Sequence, residues 1–180
     1  YFGTWTKRKG IKYLCIVMAR ILSKMPDLCF DLYGTYTDKK KVLANFPADL
    51  HHRIIVYPQL SGQEIANGLS KAKVFFFPSQ YEGFGFAPVE AMACSCAAVI
   101  TRTGFAVELC DKQEALLCDF EDIYDMEQAI LYLLQDSNMC LRIAQGGWER
   151  VRALSWEVNT KKLADIYTKW LTDYHHPQPS

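Results

Sequence analysis

The stretch Val74–Ile100 constrains this chain more than any other: VFFFPSQYEGFGFAPVEAMACSCAAVI. Val74 to Phe77 is an apolar, aromatic run closed by Pro78-Ser79, the pattern of a buried strand. A glycine turn follows, Glu82-Gly83-Phe84-Gly85-Phe86. Pro88 suits the first turn of a helix, where its missing N–H costs nothing. Val89-Glu90-Ala91-Met92-Ala93 continue that helix, and Ala97 to Ile100 is a second short apolar strand. Strand, turn, helix, strand is a crossover unit, which calls for parallel pairing and for helices covering the sheet.

The turn suits an anion. Two glycines let the backbone approach a ligand closely. The helix behind them offers free N–H groups and a partial positive charge. Glu82 and Glu90 bracket the turn with seven residues between them. A carboxylate repels phosphate, so these acids are expected to face hydroxyls, as the ribose-binding acid of dinucleotide folds does. Phosphate, ribose and sugar hydroxyls together read as a sugar nucleotide. Gly83-x-Gly85 is not half of a dinucleotide fingerprint, because Pro88 stands where the third glycine would be.

The remaining segments fit the same architecture. Tyr1-Phe2-Gly3 reads as the end of a first strand, and Thr4 to Lys9 as its exit loop. Ile11, Leu14, Cys15, Met18, Ile21, Leu22 and Met25 recur at helical spacing until Pro26. Strands are expected at Leu28–Tyr33, Arg53–Tyr57 and Ala115–Cys118, and a short helix within Thr35–Asn45. Ser61-x-x-Glu64 is a capping box that opens a helix running to about Lys71. Later helices are expected at about Ile123–Gln135, Met139–Arg152 and Trp156–Tyr174. Residues 163, 166, 167, 170 and 171 mark the buried face of the last one, and His175–Ser180 reads as a frayed tail. The fold expected is α/β and Rossmann-like, three layers α/β/α around a parallel sheet of about six strands. Ligands in such sheets bind beyond the carboxyl ends of the strands. That rule brings Thr4–Lys9, Pro58–Gly62, Ser79–Phe86 and Thr101–Glu108 to one rim.

Composition excludes several function classes. Formal net charge is zero, so the chain carries no global footprint for nucleic acid. No apolar run approaches the roughly 20 residues of a membrane span. Seven cysteines scattered through apolar segments favour reduced thiols and a cytoplasmic setting. Cys94-x-Cys96 lacks clustered third and fourth ligands, and the adjacent pairs His51-His52 and His175-His176 diverge, so no metal site is expected. Lys39-Lys40-Lys41 reads as a solvated face.

Pro78-Ser79…Glu82-Gly83-Phe84-Gly85…Glu90-Ala91-Met92-Ala93 resembles the E-x7-E signature of retaining glycosyltransferases with the two-domain GT-B architecture, in particular family 4. Gly3…Lys9-Gly10, Gly104…Glu108 and Ser155-Trp156 resemble flanking motifs of the same family. The resemblance spans about Tyr1 to Trp170, but only the donor-binding half of such an enzyme. It implies a nucleotide-sugar-binding domain over 1–174, with the N-terminal acceptor domain absent from the chain, so that the isolated domain is inactive. It implies a nucleotide-diphosphate sugar as donor, with a glycan or lipid-linked acceptor held by the other domain, as in polysaccharide biosynthesis. It also implies peripheral contact with the inner face of a membrane through the full-length enzyme. No cofactor and no metal are implied.

By that resemblance Glu90 holds the ribose diol, and Lys9 neutralises the diphosphate as it leaves, helped by backbone N–H groups of Gly85 and Phe86. Glu82, with the backbone of Gly83 and Phe84, faces the sugar, and the backbone near Leu60 borders the nucleobase. Gly3 and Thr4 belong to the same donor loop. The family's usual Arg after the first glycine is Thr4 here. Either Arg8 takes its role or the diphosphate is held less tightly. Ser95 and Ala97 stand where the family has Gly and Pro. Those departures support a rival reading, a non-catalytic interaction module with a decayed site. A sugar-nucleotide epimerase is the other rival, and it gives no reason for the Glu82–Glu90 spacing.

Overall fold

The structure, a computed structural model, describes residues 1–175. Five strands, β1 (Phe30–Tyr33), β2 (Ile54–Tyr57), β3 (Val74–Phe77), β4 (Ala97–Thr101) and β5 (Leu116–Cys118), are interleaved with helices. The helices are α1 (Ile11–Lys24), α2 (Lys39–Leu43), α3 (Gly62–Leu69), α4 (Phe86–Ala93), α5 (Ile123–Gln135), α6 (Ser137–Arg152) and α7 (Trp156–His175). Every strand pairing is parallel, as the crossover unit requires. β4 runs between β3 and β5 with all five residues buried, so both of its faces are covered.

The expected single sheet of about six strands is instead, among the described residues, five strands in two ladders, β1–β2 and β3–β4–β5. Tyr1–Gly3, expected as a strand, makes a single bridge, Phe2 to Tyr33. Gly3 N–H donates to Tyr33 O at 3.0 Å, and Tyr33 N–H donates to Tyr1 O at 2.9 Å. On its other side the Tyr1 ring stacks on Phe77 of β3, with centroids 5.8 Å apart. This segment is the seam between the ladders, too short to pair further.

The helices form for local reasons. α1 buries Leu14, Val17, Met18, Ile21 and Leu22 along one stripe. Its end is capped from outside: the Arg53 guanidinium donates to the carbonyls of Leu22, Met25 and Pro26 at 2.8–3.0 Å. Glu127 of α5 is 4% exposed and takes Lys24 at 2.5 Å and Arg20 at 3.3 Å, tying α5 to α1. The capping box of Ser61 and Glu64 opens α3 as its sequence predicts. Ser95, standing where a glycine is usual, has φ +63, so the turn from α4 into β4 keeps the left-handed geometry that a glycine would adopt without strain.

α7 departs from expectation. Leu163, Ile166, Tyr167, Trp170 and Leu171 were expected to be buried, yet they are 45–62% exposed. Helical periodicity reports an apolar stripe, not what covers it, and among the described residues this stripe stays open to solvent. His175 is the last residue of α7, and the rest of the expected tail, 176–180, lies outside the described residues. No helix among the described residues is long and apolar enough to cross a membrane. All seven cysteines are free thiols.

Candidate functional site

Beyond the carboxyl ends of the strands lies a cleft of about 460 Å³. It gathers Gly3, Thr4, Arg8, Lys9, Glu82, Phe84, Gly85, Phe86 and Glu90. Leu60 is not among them; it lines a neighbouring hollow with Tyr57, Glu64 and Asn67. Gly83 does not line the cleft either, and a Cβ there would meet nothing within 4 Å. The two glycines of the turn therefore differ: Gly85 needs its freedom, with φ +90, whereas Gly83 has open space around it.

Backbone contacts set the cleft's shape. Gly10 has φ +69 and packs so closely that a Cβ there would lie 1.7 Å from the Pro78 carbonyl oxygen. The start of α1 therefore rests directly on the exit of β3. Gln80 N–H donates to Arg8 O at 2.8 Å and locks the two loops together. At the back, Gly104 has φ +55, and Phe105 N–H donates to Phe84 O at 2.7 Å. Phe84, Phe86 and Phe105 form an aromatic group on this side.

The charges are arranged in two parts. Lys9 donates to both oxygens of Glu82, at 2.8 and 3.0 Å, and its ammonium sits 4.9 Å from the Phe77 ring centre. Both side chains are largely buried, 12% and 8% exposed. The Arg8 guanidinium is 3.4 Å from the same carboxylate and donates to Tyr81 O at 2.7 Å. Arg8 thus places its charge in the cleft that Thr4 also lines. Glu82 faces lysine rather than open solvent. Glu90 differs: its side chain is exposed and has no hydrogen bond or ion pair among the described residues, and partial desolvation raises its carboxyl above the usual range. It lines the cleft together with the first turn of α4, which no side chain caps. Two cations, an unpaired acid and a helix N-terminus can together hold an anion joined to a diol.

The cleft also contains residues that the sequence reading missed: Phe2, Gly34, Tyr36, Ile65 and Ala87. Gly34 and Tyr36 both have positive φ, +62 and +49, in the loop after β1. The signal was present, since Gly34 ends a strand at its carboxyl side, the side the rim rule selects. A larger hollow of about 580 Å³ lies at the β5 edge and shares no lining residue with the cleft. Its Arg102 is already paired to Asp111 and Asp119, at 3.3 and 3.5 Å, and its Arg142 donates to Met139 Sδ at 3.0 Å.

Comparisons with known proteins agree with this fold. A family model described as "Glycosyl transferases group 1" matches residues 1–150. An uncharacterized glycosyltransferase of Methanocaldococcus jannaschii, MJ1178, is 29% identical over 170 residues, covering 93% of this chain and 46% of that protein. A GDP-mannose-dependent monoacylated alpha-(1-6)-phosphatidylinositol monomannoside mannosyltransferase of Corynebacterium glutamicum is 24% identical, covering 88% of this chain and 44% of its own length. The chain spans less than half of these relatives. Among solved structures, the C-terminal domain of a glycosyl transferase group 1 family protein (LpcC) from Francisella tularensis superposes with a TM-score of 0.72 at 23% identity, covering 85% of this chain and 82% of that one.

Proposed function

We propose that this chain, which belongs to the glycosyl transferases group 1 family and has the fold of a C-terminal GT-B domain, binds the donor for a retaining transfer of a hexose-type sugar. The donor is a nucleotide-diphosphate sugar. One observation carries this reading: a single cleft holds the unpaired Glu90 carboxylate, the Lys9 ammonium and the open first turn of α4. The GDP-mannose dependence named for the Corynebacterium glutamicum relative supports a nucleotide sugar.

Each group has a distinct task. Glu90 accepts hydrogen bonds from the two ribose hydroxyls. Lys9 and Arg8 face the diphosphate. As the bond between sugar C1 and the diphosphate oxygen breaks, the electron pair goes to that oxygen, and the two cations with the α4 N–H groups stabilise the growing charge. Glu82 and the backbone of Gly83–Phe84 lie on the sugar side. The acceptor, a glycan or a lipid-linked molecule, is held by a separate N-terminal domain. The reacting groups therefore assemble only in the two-domain enzyme, and the isolated chain binds donor without transferring it.

The test is calorimetry with nucleoside diphosphates. Charge-assisted hydrogen bonds contribute about 1.5–3 kcal/mol each, so Glu90→Ala weakens binding at least about tenfold. Melting temperature barely moves, because Glu90 has no partner to lose. Affinity also falls on acidification. Partial desolvation raises the Glu90 carboxyl, so protonation begins at a higher pH than for a free glutamate and removes the charged acceptor there. Unchanged affinity in a folded Glu90→Ala chain removes Glu90 from the site.

A further inference from the structure

We propose that Ser79 and Thr101, two hydroxyls buried behind the cleft, are positioning residues that keep Glu82 in place when the donor's diphosphate draws Lys9 away. The inference rests on the donor reading above. Neither residue touches the cleft: Ser79 is 0% and Thr101 2% exposed. The Ser79 hydroxyl lies 2.5 Å from Glu82 Oε1, 3.1 Å from Arg8 O and 3.2 Å from Tyr81 O. A hydroxyl has one proton to give, and the charged, nearest acceptor takes it. Ser79 is itself fixed, because Thr101 Oγ1 donates to its carbonyl at 2.5 Å. Thr101 ends β4, the central strand of its ladder, so the chain Thr101–Ser79–Glu82–Lys9 runs from the rigid core to the charge at the cleft.

The bond to Ser79 matters because of what a diphosphate does. Lys9 now spends two of its protons on Glu82. A diphosphate competes for those protons. Once Lys9 turns to it, a carboxylate only 8% exposed would keep just Arg8 at 3.4 Å as a charged partner. A buried carboxylate stripped of partners is costly, so Glu82 would hold Lys9 back. Ser79 supplies a partner that does not depend on Lys9, and so lowers the cost of releasing it.

The experiment titrates the 180-residue chain with UDP and GDP by calorimetry, and with uridine and guanosine by NMR. Ser79→Ala is expected to weaken the tighter-bound diphosphate about tenfold while the nucleoside stays within about twofold. Thr101→Val is expected to act in the same direction, and Thr101→Ser to restore binding, since it keeps the hydroxyl. A purely structural role would weaken diphosphate and nucleoside alike, and that result overturns the proposal. So does wild-type affinity for both ligands in Ser79→Ala and Thr101→Val. Should Ser79→Ala fail to melt cooperatively, the Thr101 pair decides. A wild-type chain that binds neither diphosphate overturns the donor reading itself, and this inference with it.

Discussion

Gly104→Ala tests whether the cleft depends on the loop behind it. A Cβ at Gly104 would lie 2.4 Å from the Phe84 carbonyl oxygen, 2.8 Å from its carbon and 3.0 Å from Glu82 Cβ. Unstrained carbon–oxygen contacts run at about 3.3–3.6 Å, so the Glu82–Phe84 loop must retreat by roughly 1 Å. That retreat stretches the 2.7 Å bond from Phe105 N–H to Phe84 O. The left-handed backbone, φ +55, costs a non-glycine residue about 1–2 kcal/mol more. Together these predict a loss of about 1–3 kcal/mol and a fall in melting temperature of roughly 3–10 °C, with the β3–β4–β5 ladder intact. Function should suffer more than stability, because a 1 Å error near reacting groups can cost about a hundredfold in rate. Glu82 and Phe84 move while Glu90 stays, so a nucleotide sugar should lose its affinity advantage over the bare diphosphate. Parallel titrations with the two ligands, and a thermal melt, measure this. If the variant keeps both its melting temperature and its preference for the nucleotide sugar, the loop is not held by Gly104 and the reasoning fails.

Changing Arg8 and Lys9 together to Ala is expected to weaken a nucleoside diphosphate much more than its nucleoside, and to flatten the salt dependence of binding; equal losses would mean a solvated loop. Ser95→Gly should raise stability by about 0.5–1 kcal/mol, since relief of the left-handed strain at φ +63 exceeds the added freedom of the unfolded chain. Denaturant midpoints read that sign directly. Trp170→Ser with Leu171→Ser should change the unfolding free energy by less than about 0.5 kcal/mol, because both residues are 62% exposed. A loss of several kcal/mol would show that the stripe is covered after all.

The centre of the molecule was legible because its signals are local. β3 begins and ends where the apolar run and Pro78 place it, α5 spans the expected Ile123–Gln135, and the Ser61–Glu64 box is formed. What stayed hidden depends on neighbours distant in sequence. Gly83 and Gly104 look alike as letters, yet one faces open space and the other a carbonyl oxygen. The pairing of Glu82 with Lys9 crosses 73 positions, and no spacing rule reports it. Like charges beside a phosphate argued for an acid turned toward hydroxyls; the fold brings a lysine to it first. Tyr36 was missed because nothing local distinguishes an aromatic with φ +49 from one in an ordinary loop. α7 shows the limit in the other direction, since a helical apolar stripe is a statement about the helix and not about its surroundings.

The close approach of Gly10 to Pro78 O divides the cleft's residues by how freely they can be exchanged. Main chain holds main chain there, so the frame does not depend on which side chains stand along the rim. Replacing a side chain such as Thr4 or Arg8 changes charge or shape without moving the loop that carries it. Thr4 and Arg8 both line that cleft, and exchanging either side chain leaves Gly10 seated against Pro78. A lineage could change what the cleft accepts through steps of this kind, each still folded. Gly10 has no comparable latitude: any side chain there would push α1 off β3 and disturb every contact at once.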